Sequence, residues 1–140
     1  MSQYVCEQRP GNPLWPRDPQ RRADIARWQC WNLAHWAPAI QPYVYQNLFK
    51  RFRGLGEADD AVLELAASSF RRYAAVLNDH LANRDFLVGN SETLADFTVA
   101  SYLTYAEQAR VPLQSYPHIC RWRAEIWRLK AWQAVLPTLS

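Results

Sequence analysis

Few groups in this 140-residue chain can move a proton, attack an electrophile or grip a ligand. There are three histidines and three cysteines. Cys6, Cys30 and Cys120 have no CxxC or Cys/His spacing, so they predict no metal site. An odd, scattered set also predicts no disulfide framework and fits a reducing, cytoplasmic home. His35 stands alone, with Trp31 and Trp28 one and two helical turns before it. On a helical wheel Asp24, Arg27, Trp28, Trp31 and His35 share one side. A face that mixes aromatic rings with charge is neither plain core nor plain solvent. It suits a cleft or a subunit interface. Arg27 has two readings, a contact to an anionic group or a pair with Asp24. Asp79-His80 reads as solvated, and His118, beside Pro117, as a structural contact. No Ser/His/Asp spacing argues for a nucleophile.

The elements that must position these groups are helical. Asp18-Pro19 is a helix start: Asp caps free amides, and Pro fits the first turn. A helix over 19 to about 37 follows, with Ala26, Cys30, Leu33, Ala37 and Ile40 as its expected core stripe. Cys30 is then a buried, inert thiol, and Cys6 an exposed one near the start of the chain. Pro38 and Pro42 are expected to kink or interrupt the helix. An aromatic-rich stretch, Tyr43 to Phe52, continues it up to Gly54-Leu55-Gly56. Residues 59 to about 83 form the clearest amphipathic helix, on Leu63, Ala66, Phe70, Ala74, Leu77 and Leu81.

Phe86-Leu87-Val88-Gly89 is a short apolar segment before a capping box. In that box Thr93 accepts from the amide of Asp96, and the Asp96 carboxylate reaches back to the amide of Thr93. Removing this carboxylate is expected to cost about 1 kcal/mol or somewhat more. Glu92 stands where a hydrophobic staple onto Phe97 would begin, so the staple is expected to be lost. The helix from 94 to about 109 is apolar nearly all round and reads as buried and central. Tyr116-Pro117 opens another helix, with Ile119, Trp122, Ile126 and Leu129 inward and Arg121, Glu125 and Arg128 pairing outward. Residues 131–136 form a last short helix closed by Pro137. No strand alternation and no repeat occurs. The prediction is an all-α bundle of five or six helices.

Charge and hydropathy narrow the function classes. Sixteen basic residues against 13 acidic ones leave a net charge of +3, too little to argue for nucleic acid. No apolar run is long enough for a membrane helix, and no secretory signal opens the chain.

Three blocks, in order and spacing, resemble the C-terminal helical domain of the cytosolic glutathione transferase family. They are Trp15-Pro16-Arg17-Asp18-Pro19 before a long kinked helix, Phe86-Leu87-Val88-Gly89 leading into Thr93-Leu94-Ala95-Asp96, and Tyr116-Pro117-His118-Ile119 with Trp122 and Ala131-Trp132. The resemblance covers about residues 13–137. It implies a helical domain over 13–140, preceded in residues 1–12 by the end of the last helix of a thioredoxin-like domain and a linker. That domain normally holds glutathione and the group that activates its thiol, so no catalytic residue and no cofactor is implied for this chain. The implied reaction of an intact enzyme is conjugation of an apolar electrophile to glutathione, or reduction by it. This half would supply the electrophile pocket, with Arg27, Trp28, Trp31 and His35 as candidates, and would be inactive alone. The alternative is a non-catalytic module for protein interaction, with self-association as a homodimer.

Overall fold

The computed structural model describes residues 2–9 and 11–135. Residues 1 and 10 of the segment 1–12, and residue 136 with Pro137 at the end of the last expected helix, lie outside the described residues. A short helix α1 (Ser2–Glu7) leads through a turn-rich connector to α2 (Pro19–Trp31). Asp18 caps α2, its Oδ1 accepting from the Gln20 amide at 2.9 Å. The connector is anchored where the Leu94 amide donates to the Leu14 carbonyl. A cation over a ring, Arg22 on Trp15, closes its other side.

From Pro19 to Phe52 the chain stays helical through both prolines. α2 passes into a wider π turn at Asn32–Trp36, then α3 (Ala37–Val44), a second π turn at Tyr45–Phe49 and α4 (Lys50–Phe52). In the first π turn the Ala37 amide donates to Asn32, one residue further back than in an α-helix. The Pro38 ring would collide with the carbonyl four residues before it, and the widened turn relieves this. The helix thus passes both prolines without interruption, widened in the turn before Pro38.

α5 (Asp60–His80) runs beside this long helix, capped by Asp59, whose Oδ1 accepts from Ala61 and Val62. Its apolar stripe is buried at Ala66, Phe70, Ala74 and Leu77, as its spacing predicts. α6 (Leu94–Ser101) is central, and irregular helical turns carry the chain on to Arg110. A 3-10 turn at Leu113–Ser115 precedes α7 (Pro117–Arg128) and α8 (Lys130–Gln133). With α2 to α4 taken as one, six helices and no strand form the described residues: the fold is all-α.

The long helix packs with its face turned from the predicted one. Its buried residues are Ile25, Trp28, Asn32, Trp36, Ala37, Ala39, Ile40, Tyr43 and Gln46. Ala37 and Ile40 are buried as expected, but Leu33 is 67% exposed and Ala26 only half-buried. The thiols are reversed as well: Cys30 is exposed and Cys6 buried. The cause is aromatic size. Trp28 and Trp36 remove far more apolar area from water than Ala26 and Cys30, so they take the inward side.

Candidate functional site

Two motifs read from the sequence meet at one carboxylate. Asp96 is completely buried. Its Oδ2 accepts from the Thr93 amide at 2.9 Å and from the Thr93 hydroxyl at 3.0 Å. Its Oδ1 accepts from the Leu87 amide at 2.8 Å and from Trp122 Nε1 at 2.9 Å. Thr93 Oγ1 in turn accepts from the Ala95 amide at 3.3 Å. The carboxylate therefore ties the start of α6 to the 86–89 segment and to α7. Burial pushes its carboxyl above the ordinary value, while these hydrogen bonds act in the opposite direction. Every hydrogen-bond partner of the carboxylate is a group of the fold itself. Phe97, deprived of a staple partner at Glu92, stacks on Trp132 at 5.8 Å.

His80 holds the other side of the same segment. Its Nε2 lies 2.9 Å from the Leu87 carbonyl, and its ring packs on Trp28 at 4.7 Å. It is half-buried and not the solvated group expected from the sequence. Desolvation lowers its pKa below the ordinary 6.5, with the Leu87 hydrogen bond opposing. The folded state thus favours the neutral ring, and the unfolded state takes up a proton at higher pH. This contribution to stability is present above about pH 6.5 and is lost as pH falls through the folded value. The melting temperature should fall between pH 7 and 5 by more in the native chain than in His80→Gln. Parallel melting curves across this range would remove the effect from His80.

Of the predicted site residues, Trp28, Trp31 and His35 meet at the seam between the long helix and α5, whereas Arg27 makes its contacts within the long helix. Trp28 is 3% exposed and edge-on to Trp31, with centroids 5.0 Å apart. Trp31 stacks on Trp36 at 5.8 Å and meets Tyr73 at 6.3 Å. His35 stacks on Tyr73 at 4.7 Å. Arg27 pairs with Asp24 at 3.3 Å and lies over the Trp28 ring. The expectation that Trp28 sits on an outward mixed face is corrected: it is core. Along α7, Arg128 pairs with Glu125 at 2.7 Å, whereas Arg121 turns to Asp85 and to the carbonyls of Leu81 and Arg84.

An open apolar groove of about 600 Å³ lies on another side of the long helix. One wall carries Ile40, Val44, Tyr45 and Phe49, and the other carries Tyr102 and Tyr105 from the turns after α6. Tyr45 and Phe49 are 52% and 45% exposed. Next to it is a polar cleft of about 570 Å³ edged by Arg51, Glu57 and Arg110. Gln46 lines both and is itself pinned, its Oε1 accepting from the Asp59 amide at 2.9 Å. The groove was missed because its two walls are more than fifty residues apart in the chain. Its only sequence signal is aromatic residues at positions 45 and 49, one helical turn apart. Among the described residues no group of acids, histidines and cysteines could hold a metal ion, and no helix is long and apolar enough to cross a membrane.

Comparison with known proteins agrees with this architecture. The chain is 34% identical over 107 residues to elongation factor 1-gamma of Carassius auratus, covering 74% of this chain and 23% of that protein. It is 29% identical over 121 residues to glutathione S-transferase D7 of Drosophila melanogaster, covering 85% of this chain and 50% of that protein. The chain thus spans half or less of the length of these relatives. Among solved structures, glutathione S-transferase III in its apo form superposes with a TM-score of 0.85 at 28% identity, over 98% of this chain and 66% of that one. The model of the glutathione S-transferase C-terminal domain matches residues 35–130, which include both walls of the groove. This chain belongs to the glutathione S-transferase C-terminal domain family.

Proposed function

We propose that this chain is the electrophile-binding half of a glutathione transferase, and that the groove at Tyr45, Phe49, Tyr102 and Tyr105 is its contribution to the site. The observation that carries this is the half-exposed pair Tyr45 and Phe49 in an open apolar groove. Exposed aromatic rings facing one another across a concave surface offer stacking area to a flat, apolar electrophile. Trp28, Trp31 and His35 then serve the wall indirectly, by fixing the long helix against α5. Arg27 covers Trp28 and does not touch the ligand. Glutathione itself, and the group that activates its thiol, belong to a thioredoxin-like domain in the intact enzyme. This chain alone is inactive under that reading.

The test is fluorescence titration with N-phenyl-naphthylamine, a neutral aromatic probe, with a chloronitrobenzene as competitor. The double variant Tyr45→Ala/Phe49→Ala should bind the probe at least about tenfold more weakly, since each ring contributes on the order of 1 kcal/mol of stacking beyond area burial. Its circular dichroism melt should move little, because both rings are half in water. Unchanged affinity would place the apolar wall elsewhere.

The likeness to a protein named as an elongation factor favours a second reading, a non-catalytic interaction module. Exposed Leu33, Leu65 and Val76 are compatible with self-association under either reading. A homodimer by analytical ultracentrifugation, without probe binding, would favour the module.

A further inference from the structure

A polar side chain sealed in a core normally has a hydrogen-bond partner, and each exception calls for an explanation. Asn32 is completely buried, yet neither its Oδ1 nor its Nδ2 has a partner among the described residues. The buried indole Nε1 of Trp28 is unpartnered as well. These two residues stand four apart in the long helix, so their side chains lie one above the other on its inward face. The other two unpaired buried atoms, Arg123 Nε and Trp132 Nε1, lie elsewhere, on α7 and α8.

The neighbouring elements offer this pair nothing. Trp28 meets His80 and Trp36 meets Phe70, so α5 runs antiparallel past the long helix. Asn32, midway between the two tryptophans, comes opposite the turn 74–77 of α5. Ala74, Ala75, Val76 and Leu77 carry no side-chain donor or acceptor. Ala95 and Val99, which α6 adds to the same core, are apolar too. The Val99 carbonyl already accepts from Trp36 Nε1. Asn32 Oδ1 is an acceptor and Trp28 Nε1 a donor, but they do not bond to each other directly. An amide left unpaired in such surroundings is costly.

We propose that Trp28 Nε1 and the Asn32 side-chain amide form a binding site for a single internal water molecule. Water fits because it accepts and donates at once: it accepts from the indole N–H and donates to Asn32 Oδ1. The site joins the last turn of α2 to the head of the first π turn, where the Asn32 carbonyl takes the Ala37 amide. It thus holds the long helix at the point where its geometry changes, and it steadies the ring on which His80 packs. It also explains how a stripe that contains asparagine can be the inward one, since the amide enters the core already hydrated.

Water-selective NOESY and ROESY spectra of the nitrogen-15-labelled chain test this. The Trp28 indole signal is identified as the one that disappears in Trp28→Phe. In the native chain the Trp28 indole proton should show cross-peaks to water of opposite sign in the two spectra, the mark of a water that tumbles with the protein. The Asn32 side-chain amide protons should show the same. Absence of these peaks, or peaks of equal sign, which come from proton exchange, would overturn the proposal. Asn32→Leu fills the site with an apolar side chain and removes the acceptor, so the Trp28 cross-peak should be lost. Its survival in that variant would overturn the shared site, because the water would then be held without Asn32. Should the leucine variant not fold, the spectra of the native chain decide alone.

Discussion

Asp96→Ala should lose about 4 kcal/mol of stability, well beyond the value expected for an ordinary helix cap. The difference comes from the number of buried donors left behind. Alanine removes the acceptor of the Thr93 amide, the Leu87 amide and Trp122 Nε1 in one step. Each unpaired buried donor costs about 1–3 kcal/mol, and the three share one site, so their costs do not simply add. A domain of this size has roughly 5–15 kcal/mol in total. The variant is therefore left near the edge of unfolding. Denaturant unfolding followed by circular dichroism measures the loss directly. Asp96→Asn should lose less, because one oxygen still accepts from Leu87 and Trp122. A loss of only about 1 kcal/mol in Asp96→Ala would mean that the carboxylate acts as a local cap and does not join α6, α7 and the 86–89 segment.

Trp36→Ala has an effect of similar size by another route. The ring is fully buried and stacked between Trp31 and Phe70, at 5.8 and 5.7 Å. Its Nε1 also donates to the Val99 carbonyl at 3.2 Å, which joins the first π turn to α6. Truncation leaves a cavity in the centre of the bundle and a carbonyl without that donor. Tryptophan-to-alanine changes of this kind cost about 3–5 kcal/mol. Trp36→Phe keeps most of the volume and should recover much of the loss. Trp31→Ala, on the partly exposed side of the same stack, should cost clearly less. If Trp31→Ala proved the more damaging by denaturant unfolding, the phase of the long helix would have to be turned back toward the sequence-based stripe.

Helix starts and the type of fold were legible because their signals are local. Asp18 before Pro19, and Thr93 with Asp96, need only their own neighbours to form caps. The α5 stripe is legible because just one face of that helix is apolar. The long helix carries two competing stripes at helical spacing. One is Ala26, Cys30, Leu33, Ala37 and Ile40; the other is Ile25, Trp28, Asn32, Trp36, Ile40 and Tyr43. Asn32 hides the second from a hydrophobic pattern, although it is completely buried. What selects that stripe is the fit of Trp28 to His80 and of Trp36 to Phe70, contacts with a helix more than thirty residues further on. Misplacing the stripe by one residue turned Trp28 outward and made it a site candidate.

The groove was hidden by a related cause. A helix apolar nearly all round reads as buried on every side, yet Tyr102 and Tyr105 are only half-buried and form a wall. Their opposite number, Tyr45 and Phe49, lies in the second π turn. Only the packing of the two segments makes a concave surface from residues that look like ordinary core in either one.

The central claim is a division of labour, with the apolar partner on this chain and glutathione on another domain. Calorimetric titration of the chain with glutathione tests it most directly. The account predicts no saturable heat up to millimolar ligand, with the same sample still binding N-phenyl-naphthylamine. Saturable glutathione binding by these 140 residues would contradict it, because the helical half would then hold a thiol site of its own.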